Sequence, residues 1–141
     1  MKLAKSTRYA LYAAVEMAMA GEAPITVADV AGRYRLPESA LAKVFQQLVR
    51  AGIALGTRGI GGGYRLARPR TKITILDVVR VFEPPRPEGQ CLLTEGLEGS
   101  CPRPADCGLR QLFDEVDELV RCTYESVTLD TVIRRGGRAR S

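Results

Sequence analysis

The chain has 141 residues, of which 45% are hydrophobic, with a mean hydropathy of −0.07 and a net charge of +5, values typical of one folded domain with or without an attached helix. The sequence contains no His, which excludes His-dependent nucleophilic catalysis and His-ligated metals within the chain. No apolar run approaches the ~18 residues that span a bilayer and no signal-peptide pattern occurs, so we expect a cytoplasmic protein with no membrane partner.

The charge is unevenly distributed along the chain. Residues 1–70 carry 11 Lys/Arg and 4 Asp/Glu, whereas residues 71–133 carry 6 basic and 12 acidic residues. A basic first half joined to an acidic second half indicates that the first half binds a polyanion. Ordinary solvated surface charge is the alternative.

Three helices are predicted in the first third of the chain. Apolar residues recur at helical spacing over residues 6–20, where Ser6 and Thr7 are candidate caps. Thr26 is expected to cap a second helix over 27–34, and a tight turn then leads to a third, amphipathic helix over 38–51. Two helices joined by about three residues are typical of a helix-turn-helix.

A hairpin is predicted directly after the third helix. Strands are expected over 53–57 and 64–68, with a glycine-rich turn at 58–63. Nucleotide binding is disfavoured, because the glycines lack a following Gly-Lys-Ser/Thr and do not open a helix. A hairpin in this position is a wing, and its glycines let the backbone approach DNA.

The second half of the chain predicts a short helix over 75–82, a long helix over 106–126 and a last short helix over 128–133. Between the first two lie residues 84–107, which are rich in Pro and Gly, and a long loop of this kind is usually functional. The long helix has an apolar stripe too wide for one small domain to cover, which predicts a homodimer. The stripe consists of Leu109, Leu112, Phe113, Val116, Leu119 and Val120.

The predicted fold is therefore mainly α, a winged helix-turn-helix with a two-stranded wing and a long C-terminal dimerisation helix. Its expected parts are a DNA-binding domain at 1–83, a cysteine-containing loop at 84–107, a dimerisation region at 108–133 and a disordered basic tail at 134–141.

Candidate DNA contacts occur at the start of the chain, on the third helix and on the wing. Gln pairs with adenine, Lys or Ser reaches guanine or phosphate, and the first turns of a recognition helix point into the major groove. Arg58 suits a narrow minor groove, and the other cations suit phosphates. The predicted contacts are Lys5, Arg8, Ser39, Ala40, Lys43, Gln47, Arg58, Gly61, Tyr64 and Arg65. Taken singly, each is also typical of a solvated surface.

The four cysteines do not follow a zinc pattern. Cys91, Cys101 and Cys107 are spaced Cys-x9-Cys-x5-Cys, without the paired Cys-x-x-Cys of a zinc ribbon. Three thiolates in an adaptable loop can hold an iron–sulfur cluster, and incidental thiols are the alternative. Cys122 lies within the long helix and is interpreted as a packing residue.

The sequence resembles the family of winged helix-turn-helix transcription regulators that includes the iron–sulfur cluster regulator IscR and the nitric-oxide-sensing repressor NsrR. The resemblance covers about residues 1–133 and is strongest over Leu41–Ile53 and in the Arg-Gly-x-Gly-Gly-Gly-Tyr segment at 58–64. It implies a homodimer on near-palindromic, double-stranded promoter DNA. It also implies that Cys91, Cys101 and Cys107 are ligands of an iron–sulfur cluster.

Two departures from this family concern the fourth cluster ligand. Arg110 stands where IscR-like members have a His, and Arg8 stands where NsrR-like members have an acidic residue. The first cysteine interval is also longer than in those relatives. The alternatives for the fourth ligand are Asp106, Glu95, Glu98, a partner carboxylate or a small external ligand. Three Cys without His favour a [4Fe-4S] over a [2Fe-2S] cluster.

The expected function is a DNA-binding transcription regulator whose affinity is controlled by an iron–sulfur cluster. The alternative is a regulator of the same fold whose cysteines sense oxidants or thiols directly, without a metal. An enzyme is not expected, because no nucleophile and base cluster in the sequence.

Overall fold

The computed structural model describes residues 3–84 and 107–138. Within these ranges the chain is mainly α-helical with one two-stranded sheet, as predicted. The elements in chain order are α1 (Lys5–Ala20), α2 (Val27–Tyr34), α3 (Glu38–Arg50), β1 (Ala54–Thr57), β2 (Gly63–Leu66), a 3-10 turn (Arg70–Lys72), α4 (Ile75–Phe82), α5 (Gly108–Ser126) and α6 (Leu129–Arg138).

The core is built around α1, which packs against α3, α4, α6 and β2. The buried face of α1 carries Ala10, Ala13 and Ala14, all fully buried, so neighbouring helices approach its backbone closely. The opposing face of α3 supplies larger side chains, among them Leu41 and Phe45, which are also fully buried. This packing fixes the orientation of α3 and leaves its polar face outside.

Two helices begin with a capping box. The Thr26 hydroxyl accepts from the Asp29 N–H at 3.0 Å and the Asp29 carboxylate accepts from the Thr26 N–H at 3.1 Å, so the predicted Thr26 cap is confirmed. Thr74 and Asp77 repeat the arrangement at α4. These hydrogen bonds hold the carboxyl pKa of Asp29 below its ordinary value.

The predicted caps of α1 are wrong. The helix begins at Lys5 with Ala4 as its N-cap, and neither Ser6 nor Thr7 caps it. Thr7 instead lies inside the first turns, fully buried, and its hydroxyl has no hydrogen-bond partner among the described residues. Packing of α1 against its neighbours, rather than a local cap, therefore determines where the helix starts.

The last helix is longer than predicted. It continues to Arg138, so residues 134–138, predicted to be disordered, are helical. Asp130, which is almost buried, accepts from Arg134 at 2.8 Å on the same helix and from Arg70 at 2.9 Å in the 3-10 turn. These ion pairs tie the basic end of α6 to the domain.

The chain returns from α5 to the domain through a short bridge. The Ile75 N–H donates to Val127 O at 2.8 Å and the Leu129 N–H donates to Ile73 O at 2.9 Å. Leu129 is fully buried, so α6 joins the core. Apart from its contact with α4, α5 therefore lies largely outside the core, and no helix in the two described ranges is long and apolar enough to cross a membrane.

Candidate nucleic-acid interface and cysteine site

The second helix of the helix-turn-helix, α3, presents a polar face to solvent. Ser39, Lys43 and Gln47 are spaced four residues apart and are exposed, opposite the buried Leu41 and Phe45. Ala40 beside them is half-buried. The first turn of α3 therefore presents the small side chains of Ser39 and Ala40. The ammonium of Lys43 follows about one turn later, and the amide of Gln47 about two turns later.

The wing is attached to the helix-turn-helix through one residue of the linker between α1 and α2. The Ile25 N–H donates to Tyr64 O at 2.9 Å, and the Tyr64 N–H donates to Ile25 O at 2.7 Å. Strands β1 and β2 pair antiparallel, with Gly56 opposite Tyr64. The linker thus adds one bridging residue to the hairpin, which restricts the wing relative to α2.

Tyr64, a predicted DNA contact, has a packing role for its ring. The ring stacks on Phe45 of α3 with centroids 4.6 Å apart. The stack holds the wing against the recognition helix. On the adjacent position, Arg65 keeps 40% of its side chain exposed and lies 3.8 Å from the carboxylate of Glu22. Because successive strand residues face opposite sides, burying Tyr64 turns Arg65 outward.

The tip of the wing is fully solvent-exposed. Arg58 and Gly61 are exposed, and Ile60 is 110% exposed relative to its reference state. Gly59 and Gly61 adopt positive φ angles of 98° and 77° with open space around them. The tip therefore has a backbone that can approach a groove closely, with one guanidinium at its edge.

Lys5 and Arg8 are exposed on the first turns of α1. The start of this helix is held by the Ala4 N–H, which donates to the Glu83 carboxylate at 2.6 Å. Glu83 directly follows α4 and lies next to the segment that contains Cys91 and Cys101. The contact joins the residue before α1 to the residue after α4, which are 79 positions apart in the sequence.

A buried carboxylate between α1 and α2 was not anticipated from the sequence. Glu16 is 8% exposed and accepts from Arg33 at 2.8 Å and from the Tyr34 hydroxyl. Burial, followed by the hydrogen bond to Glu16, raises the pKa of Tyr34 to about 12. The sequence does contain a sign of this contact: Glu16 interrupts an apolar helix face, and a buried carboxylate needs a hydrogen-bond or ion-pair partner.

Of the three predicted cluster ligands, only Cys107 belongs to the described part of the chain. It is half-buried at the N-cap of α5, where its side chain makes no capping hydrogen bond. A helix N-terminus stabilises a thiolate, so this position suits a metal ligand. Cys91 and Cys101, and the candidate fourth ligands Glu95, Glu98 and Asp106, lie outside the described residues. Arg110 is half-buried one turn after Cys107.

The interpretation of Cys122 as a packing residue is wrong for this chain alone. Its side chain is exposed on the polar side of α5. The thiol donates to the Glu118 carboxylate at 3.5 Å and lies 3.7 Å from a guanidinium nitrogen of Arg121. Cys122 therefore lies on the helix face that carries Glu118, four residues earlier, and not on the apolar stripe.

The apolar stripe of α5 is exposed in the chain. Leu109 and Leu119 are 61% and 67% exposed, the three members between them are also exposed, and Val120 is half-buried. The domain packs on another side of the helix, through α4. Large apolar side chains aligned on one face are typical of a protein–protein interface.

The fold and these surfaces define a winged helix-turn-helix protein. Residues 3–135 match the Rrf2 family, described as iron-dependent transcriptional regulators, and the chain belongs to this family. Among its sequence relatives, the HTH-type transcriptional regulator IscR of Xenorhabdus nematophila is 27% identical over 135 residues, which cover 95% of this chain and 80% of that protein.

Two solved structures have the same fold. T. potens IscR superposes with a TM-score of 0.81 and 24% identity, covering 100% of this chain and 92% of that one. CymR of B. subtilis, titled the global cysteine regulator of that organism, superposes with a TM-score of 0.75 and 28% identity, covering 94% of this chain and 95% of that one. The family and the predicted winged-helix fold are thereby confirmed.

Proposed function

We propose that this transcription regulator is a cytoplasmic homodimer that binds double-stranded promoter DNA through α3 and the wing. The observation that carries the proposal is the pairing of an exposed polar face on α3 with an exposed Arg58 at the wing tip, two surfaces held together by the Tyr64–Phe45 stack. Helices of this kind enter the major groove, and a guanidinium at the wing suits the minor groove. Lys5, Arg8 and Arg65 supply phosphate contacts.

The experiment first selects a preferred duplex from a random-sequence library with the wild-type protein, and then measures its affinity. We expect Arg58→Ala to weaken binding by about 1–3 kcal/mol. Arg80→Gln removes one charge from an exposed position on α4, outside the proposed surface, and is the control. Unchanged affinity in Arg58→Ala would contradict the wing assignment. Failure of the wild type to select any duplex would contradict DNA binding altogether.

We further propose that Cys91, Cys101 and Cys107 hold an iron–sulfur cluster, with [4Fe-4S] favoured. The family description as iron-dependent supports this, as does a ligand set of three thiols in a chain without His. The group would supply a redox- and nitric-oxide-reactive iron centre. Cys107 would hold it at the start of α5, so the same residue serves as ligand and as helix N-cap.

Anaerobic purification tests the cluster. We expect a brown protein with visible absorbance and with iron and acid-labile sulfide in equal amounts. Cys101→Ala should lose both, whereas Cys122→Ala should retain them, because Cys122 lies on the exposed polar face of α5. A colourless wild-type protein without iron would contradict the cluster.

A second candidate function is direct thiol sensing by the same DNA-binding fold. The structural similarity to CymR, titled a cysteine regulator, favours it, together with the exposed Cys122 beside Arg121. In that case the protein would bind DNA without iron, and its affinity would respond to peroxide or disulfide treatment. The two candidates therefore differ in metal content rather than in DNA binding.

A further inference from the structure

One residue in the turn of the helix-turn-helix has an unusual backbone. Arg35 adopts φ 55° and ψ 49°, in the left-handed region, and is the one non-glycine residue with positive φ in the described part of the chain. A Cβ is disfavoured in this region, so glycine is the residue that the conformation itself prefers.

The turn requires this conformation. The Arg35 N–H donates to Ala31 O to close α2, and the Leu36 N–H donates to the same carbonyl at 3.0 Å. The chain then reverses so that α3 starts at Glu38. Since the backbone alone explains the conformation, it does not explain why an arginine occupies the position.

The Arg35 side chain has no polar partner in the described part of the chain. Arg35 is exposed, and it forms no side-chain hydrogen bond or ion pair with any other described residue. Its neighbour Arg33, in contrast, is paired with the buried Glu16. An arginine that is disfavoured by its backbone and without an intramolecular partner is available for an external anion.

Its place in the fold identifies that anion. Arg35 precedes the first turn of α3, whose Ser39 and Lys43 are proposed to face the major groove. When the N-terminal end of a recognition helix enters this groove, the turn before it lies near the sugar–phosphate edge. A guanidinium is suited to a phosphate in this position because it donates two hydrogen bonds at once.

We propose that Arg35 contacts a DNA phosphate, and that this contact explains why an arginine rather than a glycine occupies the turn. The inference rests on the proposed DNA-binding function. Replacing Arg35 by glycine should therefore raise the stability of the folded protein and lower its affinity for DNA. The backbone cost is present in the folded protein, whereas the phosphate contact forms only in the complex.

Three substitutions separate these effects. Arg35→Gln removes the charge and keeps the Cβ, so affinity should fall about 5–10-fold on both the selected duplex and a scrambled duplex, with the slope of log affinity against log salt reduced by about 1. Arg35→Gly should weaken DNA binding equally and raise the Tm by a few degrees, roughly 2–5 °C, by relieving the turn. Arg35→Lys should recover most of the affinity.

The wild-type protein and Arg80→Gln are measured in parallel, with all proteins prepared identically. Unchanged affinity and salt slope in Arg35→Gln, while Arg58→Ala weakens binding, would overturn the phosphate contact and leave the proposed function intact. A loss confined to the selected duplex would also overturn it, because a phosphate contact acts on every sequence. Absence of binding by the wild type would instead overturn the proposed function.

Discussion

At the scale of single residues, the wing depends on one glycine that the sequence motif includes without explaining. Gly63 has φ 155°, and a Cβ built there would lie 2.5 Å from Ile25 O and 2.9 Å from Ile25 C. The obstacle is backbone, and that backbone is held by the two Ile25–Tyr64 hydrogen bonds. A side chain at 63 must therefore separate the wing from the linker.

We expect Gly63→Ala to destabilise the fold by about 1–3 kcal/mol and to weaken DNA binding, because the wing loses its anchor beside α3. Urea unfolding and duplex affinity measure the two effects. Gly32→Ala is the matched control: a Cβ there meets nothing within 4 Å and the residue lies inside α2, so stability should rise by about 0.5–1 kcal/mol. Equal stabilities of the two variants would contradict the anchor.

Titration of Tyr34 should lower the stability of the fold at high pH. Its pKa is raised from about 10 to about 12, chiefly by burial and next by its hydrogen bond to Glu16, so the folded state favours the neutral phenol. The stabilisation is fully present below the unfolded pKa and is lost as the pH rises from about 10 through about 12.

Comparing wild type with Tyr34→Phe by urea unfolding from pH 8 to pH 11.5 measures this effect. The wild type should lose more stability than the variant above pH 10, because phenylalanine has no proton to release. Curves that remain parallel across this range would show that Tyr34 does not titrate as the structure requires.

At the scale of the elements, α5 is only partly covered by the rest of the described chain. One side packs on α4, and the apolar stripe is left exposed, with Val116 42% exposed at its centre. An isolated helix with such a face is unstable in water unless it is covered. We propose that a second copy of the same stripe covers it, because a two-fold axis brings identical faces together.

We expect Val116→Glu to convert the homodimer to a monomer at micromolar concentration, with a dissociation constant raised at least ~100-fold, because a carboxylate would be buried without a partner. Sedimentation velocity reports the change, and circular dichroism should show retained helix content. Glu115 is exposed at the preceding position, and Glu115→Gln should stay dimeric. A dimeric Val116→Glu protein, or a monomeric wild type, would contradict this interface.

At the scale of the whole molecule, the cysteine segment lies in the sequence between α4 and α5, the proposed dimerisation helix. It begins after Glu83, which holds the start of α1 through Ala4, and ends at Cys107, which occupies the N-cap position of α5. We therefore propose that a change in ligation at the segment would reach both the cations at the start of α1 and the proposed dimerisation helix. That helix would space the two recognition helices of a dimer about 34 Å apart, on successive turns of DNA.

We expect the iron-loaded protein, the iron-free protein and Cys101→Ala to differ in affinity for the selected duplex, with the last two alike and separated from the first by about 5–150-fold. Glu83→Gln should reduce this difference, because its carboxylate is the described link to α1. Anaerobic fluorescence anisotropy measures the five preparations, because Glu83→Gln is needed with and without iron. If only the first retains iron and the first three bind equally, ligation at the cysteines is not the switch.

The linear sequence was sufficient for most of the helices and for the wing, because each has a local signature, whereas the candidate cluster ligands stay a prediction. The period of apolar residues gives α2, α3, α4 and α5 almost to the residue, the Gly-rich run gives the turn of the hairpin, and Thr26 with Asp29 gives a capping box. Each pattern is read within a few residues, where spacing along the chain determines spacing in space.

Contacts between distant residues were decided only by the tertiary structure. Thr7 looked like a cap and is buried, and residues 134–138, expected to be disordered, form the end of α6, where Asp130 holds Arg134 and Arg70. The stack of Tyr64 on Phe45 was likewise not visible in the sequence, while the predicted DNA contact of Tyr64 stays a prediction. The left-handed backbone of Arg35 depends likewise on where α3 must start. No local period encodes these pairings, because they arise when elements with independent patterns pack against one another and compete for the same buried volume and the same hydrogen-bond partners.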